Sequence, residues 1–211
     1  SPWQVTITQS SDYVVGQPIS AIHRDLANNE QVSYQWVKLD SAADWDNAQP
    51  LTNNSMADYR LTTSDVGYLI GVITTLRDGS NPDSVSRIAI SSPVLDSNND
   101  NGDRFNLTAT IAPLVLYQDS TLTYQWQLYK NGKLMTDPQG QVTASWYLID
   151  DPSEQATPST WQSLSDTTLT DATSGRYVLL SLEYSDAMLD TPLALITVSD
   201  GVVQATTQPN D

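Results

Sequence analysis

The residues able to do chemistry here are oxygen-bearing ones. The chain of 211 residues has 25 Asp and Glu, one histidine (His23) and no cysteine. Thiolate zinc sites, disulfides and cysteine nucleophiles are excluded, and with a single imidazole so is any mechanism that needs a His pair. Carboxylate and amide oxygens remain, and they concentrate in two places. In Asp96-Ser97-Asn98-Asn99-Asp100-Asn101-Gly102-Asp103, acidic and amide side chains alternate ahead of a glycine. Calcium takes six to eight oxygens, and Asp96, Asn98, Asp100 and Asp103 could curl round such an ion. The match to an EF-hand loop is incomplete, because Gly102 falls one position late and no bidentate Glu closes the loop. A solvated polar linker is the other reading of the same residues.

The second place is Ser145-Trp146-Tyr147-Leu148-Ile149-Asp150-Asp151-Pro152. A pyranose presents a C–H face and a rim of hydroxyls, so it is held by an aromatic plate beside fixed acceptors. Trp146 or Tyr147 could supply the plate and Asp150 and Asp151 the acceptors. Adjacent strand residues point to opposite faces, so only one of the two rings would meet a ligand. The competing reading is a hairpin whose rings pack on their own sandwich. A glycosidase would need two carboxylates about 5–10 Å apart, one with a raised pKa. No such pair can be picked out among so many acids, of which only three are Glu, and the expectation is a binding protein, not an enzyme.

The elements that would position these residues are strands. The 22 Asp and 47 Ser plus Thr are turn and strand residues, and short alternating runs are broken by signals such as Val15-Gly16-Gln17-Pro18 and Lys130-Asn131-Gly132-Lys133. No amphipathic helix is visible. Six Trp and ten Tyr against one Phe give nearly every ring a polar handle. With nine Lys and Arg and a net charge of -16, phosphate backbones and anionic membrane surfaces find little to bind. No apolar run approaches the ~18 residues of a membrane span.

Tyr34-Gln35-Trp36 recurs 90 residues later as Tyr124-Gln125-Trp126, which suggests two copies of one unit. On this alignment Ile19-Ser20-Ala21 matches Leu107-Thr108-Ala109, Trp45 matches Trp161, and Asp65-Val66-Gly67 matches Asp171 and Gly175. Trp36 and Trp126 read as core fillers of a central strand, and His23, sharing the parity of Ile19 and Ala21, as a structural residue facing the core. Trp45 and Trp161 read first as rings covering a sheet edge, with sugar contact the second reading for both. Eight residues separate the first Trp pair and thirty-four the second, so copy two is expected to carry a long insertion near 127–160. The expected fold is all-β, two tandem immunoglobulin-like β-sandwiches. The boundaries are 1–95, an acidic linker at 96–103, 104–200 with the insertion, and a tail at 201–211.

Tyr34, Trp36, Trp45, Tyr59, Leu61, Thr62, Asp65, Val66, Gly67, Ile70 and Val72 together resemble the pattern of bacterial immunoglobulin-like domains of large surface adhesins. Copy two departs from it at Ser174-Gly175-Arg176-Tyr177. The acidic, cysteine-free composition is similar to that of calcium-dependent RTX adhesins, some of which carry a two-lobed sugar-binding split domain. The resemblance implies an extracellular module, on a bacterial surface or secreted, that binds glycans or polysaccharide on a host cell or in a biofilm matrix. Calcium would stiffen its link. Charge and hydropathy lead to the expectation of no nucleic-acid partner and no membrane insertion, and the chain is expected to be a monomeric segment of a larger one, in keeping with a sequence that opens on Ser1. The alternative function is a structural spacer with no ligand of its own.

Overall fold

The computed structural model describes residues 3–24, 26, 30–51, 55–77 and 84–210. Its described residues form strands and short 3-10 turns, with no α-helix among them. Two compact units result. One comprises Ser1–Thr8, Asp12–Phe105 and Lys130–Lys133; the other comprises Gln9–Ser11, Asn106–Tyr129 and Leu134–Asp211.

The first unit contains β1 (Gln4–Ile7), β2 (Pro18–Arg24), β3 (Gln31–Leu39), β4 (Gln49–Pro50), β5 (Asp58–Arg60), β6 (Leu69–Arg77) and β7 (Ser84–Ala89). They pair as two antiparallel sheets, β1-β2-β5 and β4-β3-β6-β7. Alternate residues of both sheets meet in one core, with Ile19, Trp36, Leu39, Leu61, Ile70 and Val72 all but sealed from solvent. Trp36 is fully buried, stacks on Tyr59 at 5.6 Å and donates its indole N–H to the Met56 carbonyl at 2.8 Å, so its one polar atom is satisfied. Tyr59 donates to the buried Asp65 carboxylate, which also accepts the Thr62 N–H and closes the 3-10 turn leading to Gly67. That glycine has φ 87°, a left-handed turn open to it at no steric cost.

The second unit contains β8 (Phe105–Ala112), β9 (Thr123–Lys130), β10 (Lys133–Leu134), β11 (Gln141–Ile149), β12 (Gln162–Ser163), β13 (Tyr177–Ser185) and β14 (Leu193–Val198). The sheets are β10-β9-β8 and β12-β11-β13-β14. Asn131 (φ 52°) and Gly132 (φ 79°) make the tight turn between β9 and β10, the pairing favoured for two-residue hairpins.

Strand pairing corrects the alignment of the two copies. Trp36 lies on β3, which runs between β4 and β6 and pairs Trp36 with Val72. Its counterpart is Trp146 on β11, which runs between β12 and β13 and is paired with Leu180. The true recurrence is Gln31-Val32-Ser33-x-x-Trp36 with Gln141-Val142-Thr143-x-x-Trp146, 110 residues apart, with the same opening alternation of exposed and half-buried residues. Tyr124-Gln125-Trp126 instead lies on β9, the counterpart of β2. The Gln17 and Ser120 side chains cap matching turns before these two strands, by accepting the Val14 and Tyr117 N–H groups. The Gln17 and Ser120 carbonyls accept the Leu61 and Leu169 N–H groups in the same way. Ile19 therefore corresponds to Leu122 and His23 to Trp126. Residues 127–160 are accordingly not an insertion: they hold the end of β9, the β10 hairpin, the whole of β11 and a 3-10 turn at Pro152–Ala156.

Candidate functional site

The aromatic and acidic residues singled out near Trp146 are brought together only in part. Trp146 is 9% exposed and its ring meets Tyr124 edge-on at 6.1 Å; it is a core residue and not a ligand plate. Tyr147, next along β11, faces the other side and packs against Trp161 at 5.2 Å. The Trp161 indole donates to the Glu154 carbonyl at 2.7 Å. Asp151 caps the turn at Pro152–Ala156 by accepting the Ser153 N–H, while the Glu154 carboxylate accepts the N–H groups of both Asp150 and Asp151. These backbone donors hold the Asp151 and Glu154 carboxyls below their ordinary range, because a hydrogen bond to the charged form favours it. Asp150 forms an ion pair with Arg176. Tyr147, Asp150, Asp151 and Trp161 thus build a capped corner in which Asp150, Asp151 and Trp161 are engaged by Arg176, Ser153 and Glu154.

The acidic stretch is likewise closed on itself. Asp96 pairs with the Arg104 guanidinium at 3.3 Å, and its carbonyl accepts the Arg104 Nε–H at 2.6 Å. Asn98 uses its whole amide: Nδ2 donates to Asp12 at 2.7 Å and to the Phe105 carbonyl at 2.8 Å, and Oδ1 accepts the Phe105 N–H. Burial pushes the Asp12 carboxyl up, against the opposing pull of that Asn98 bond. Asp103 accepts from the Asn131 amide at 3.0 Å and lies 3.8 Å from the Lys130 ammonium. Asp100 is exposed. Among the described residues no group of three or more His, Cys, Asp or Glu is placed to hold a metal ion. Asp96, Asn98 and Asp103 point at cations and amides instead of converging, so the residues as arranged do not fit a calcium chelate.

A different place offers an open surface. A depression of about 520 Å³ lies on the β8–β9 ladder of the second unit, lined by Thr108, Thr110, Tyr124, Gln125, Trp126 and Gln127, with Ala109 between the threonines. Pockets of about 300–1,000 Å³ are the size of small-ligand sites. Four consecutive residues of β9 make it roughly 10 Å long at ~3.3 Å per residue. Trp126 and Tyr124 project to the side where Tyr184 and Trp146 lie, at 5.5 and 6.1 Å, so Gln125 and Gln127 project to the other. Both Gln side chains are exposed, while Trp126 and Tyr124 are half-buried. Tyr184 is itself fixed: it is fully buried, donates to Asp186 at 2.6 Å and accepts the Gly140 N–H, and burial followed by that donation pushes its hydroxyl up to about 12. Trp126, expected as a core filler, is half-buried against Tyr184; the signal for the open surface is the pair of glutamines at 125 and 127, on the opposite parity of the same strand.

The class defined by these two units is that of immunoglobulin-like β-sandwich proteins, all-β and antiparallel. No protein-family model matches the chain, and no curated protein does. Among solved structures it is similar to the three N-terminal domains of the bacteriophage RB49 highly immunogenic outer capsid protein, Hoc. The identity is 11%, over 98% of this chain and 70% of that one, with a TM-score of 0.30. It is also similar to a 1.5-MDa bacterial ice-binding adhesin, at 12% identity over 96% of this chain and 65% of that one, with a TM-score of 0.32.

Proposed function

We propose that the chain is an extracellular adhesin-type module of a bacterial surface, and that it binds carbohydrate through the depression on β8 and β9. Its partners are glycans or polysaccharide on a host cell or in a biofilm matrix. The observation that carries this reading is the outward row of amide and hydroxyl side chains in the lining, Gln125 and Gln127 beside Thr108 and Thr110. Each Gln amide offers one acceptor and two donors to sugar hydroxyls, and each Thr hydroxyl both donates and accepts. No carboxylate lines the depression, which favours binding without hydrolysis, since glycoside cleavage uses two carboxyl groups. A shallow site of this kind gives affinities near millimolar, about -4 kcal/mol, useful through many copies on one surface.

The spacer reading is favoured by one observation: Trp146, Tyr147, Asp150, Asp151 and Trp161 are all engaged in folding contacts. Retention on immobilised polysaccharides separates the two. Wild type is expected to be retarded and Gln125→Ala/Gln127→Ala to elute with the void, at unchanged melting temperature. Absence of retardation on every polysaccharide of a broad panel favours the spacer.

A further inference from the structure

Resting on the carbohydrate reading, we infer that the ligand of the β8–β9 depression is an uncharged saccharide, held without a metal bridge. Three observations converge. The lining contains Thr, Ala, Tyr, Gln and Trp and no ionisable acid or base that could pair with a sulfate, a uronate or a bridging cation. Residues 105–211, which supply the strands of this sheet, hold twelve Asp and Glu against three basic residues, Lys130, Lys133 and Arg176. Lys130 lies 3.8 Å from the Asp103 carboxylate and Arg176 is paired with Asp150.

An acidic polymer gains affinity by exchanging its counterions for protein cations, and three cations among twelve acids offer little of that; the net negative field repels polyanions instead. Calcium-bridged sugar binding needs protein carboxylates that share the ion with sugar hydroxyls, and the lining supplies none. What is left is neutral recognition. Gln125, Gln127, Thr108 and Thr110 can each both donate and accept, which matches hydroxyls that do the same.

The test is affinity electrophoresis or column retention of the whole chain on neutral polymers (dextran, amylose, a mixed-linkage β-glucan) and acidic ones (alginate, chondroitin sulfate). Each is run with calcium and with EDTA, at 50 and 500 mM salt. The expected result is retention on at least one neutral polymer, changed less than twofold by EDTA or salt and lost about tenfold, or about 1.4 kcal/mol, in Gln125→Ala/Gln127→Ala, which removes the amide hydrogen bonds. Both side chains are exposed, so this variant keeps its fold, and circular dichroism checks that. Retention on acidic polymers alone, or loss of neutral retention in EDTA, overturns the inference while leaving carbohydrate binding intact. Retention on neither class overturns the carbohydrate reading itself.

Discussion

Trp146 shows how environment decides what a ring does. It is 9% exposed, at the position where the first unit has the fully buried Trp36, so truncating it opens a cavity. Trp146→Ala is expected to cost ~3–5 kcal/mol in urea denaturation, whereas Gln127→Ala changes stability by less than ~0.5 kcal/mol as an exposed surface substitution. Asp65 makes the complementary case for a polar atom. It is fully buried and accepts a hydrogen bond from the Tyr59 hydroxyl at 2.7 Å. Tyr59→Phe should cost ~1–3 kcal/mol, since it strips a donor from a buried carboxylate.

His23 carries a pH dependence. Its Nε2 meets the Tyr34 hydroxyl at 2.6 Å and its ring lies between Trp3 and Tyr34; burial lowers its pKa. The unfolded chain therefore takes up a proton before the folded one does, so the stabilisation is present above the ordinary His value of ~6.5 and is lost as pH falls through it. Denaturation midpoints at pH 7.5 and 5.5 should differ more for wild type than for His23→Gln. Equal differences would mean that the imidazole does not titrate differently on folding.

At the scale of elements, the sequence was legible in kind and misleading in correspondence. Alternation and turn chemistry give strands, and Gly67 with Gly175, both at positive φ, mark the corner before β6 and β13 in each unit. The Tyr-Gln-Trp recurrence misled because strands of one sandwich share a demand: a ring inward and a polar residue outward, at period two. β2 and β9, and β3 and β11, satisfy it alike, so a tripeptide cannot tell which strand it belongs to; only hydrogen-bond partners can. The depression was illegible for a related reason. Its rows come from two strands whose adjacency is set by pairing, and Thr108 and Gln125 carry no signal of each other along the chain.

Close packing between elements adds a sharper test. A Cβ at Gly140 would stand 2.2 Å from the Ser185 carbonyl oxygen and 2.6 Å from Tyr184 Cζ. Gly140→Ala must displace backbone or the buried Tyr184, and a loss of roughly 1–3 kcal/mol is expected in urea denaturation, as for an overpacked core. The turn from Asp96 to Asp103 is cross-linked by its own cations and amides, with Asn98 making three hydrogen bonds. Melting temperatures in calcium and in EDTA, at constant ionic strength, should agree within about 2 °C, since a ligand stabilises only by binding the folded state. A calcium-dependent rise of several degrees would show that the carboxylates abandon Arg104, Lys130 and Asn131 for the ion.

For the whole molecule, a net charge of -16 spread over two small sandwiches keeps the surface soluble and self-repelling, and it sets which ligands can approach. The account places recognition on the neutral β8–β9 ladder and assigns Trp146, Asp150, Asp151 and Trp161 to folding. The most direct measurement is a titration of the isotopically labelled chain with a neutral oligosaccharide drawn from a polymer that retains it, followed by amide and indole NMR shifts. Saturating shifts are predicted at Thr108, Thr110, Gln125 and Gln127, while Asp150, Asp151 and the Trp161 indole stay still. Shifts centred on Tyr147, Asp150 and Trp161 with β9 unmoved would contradict it.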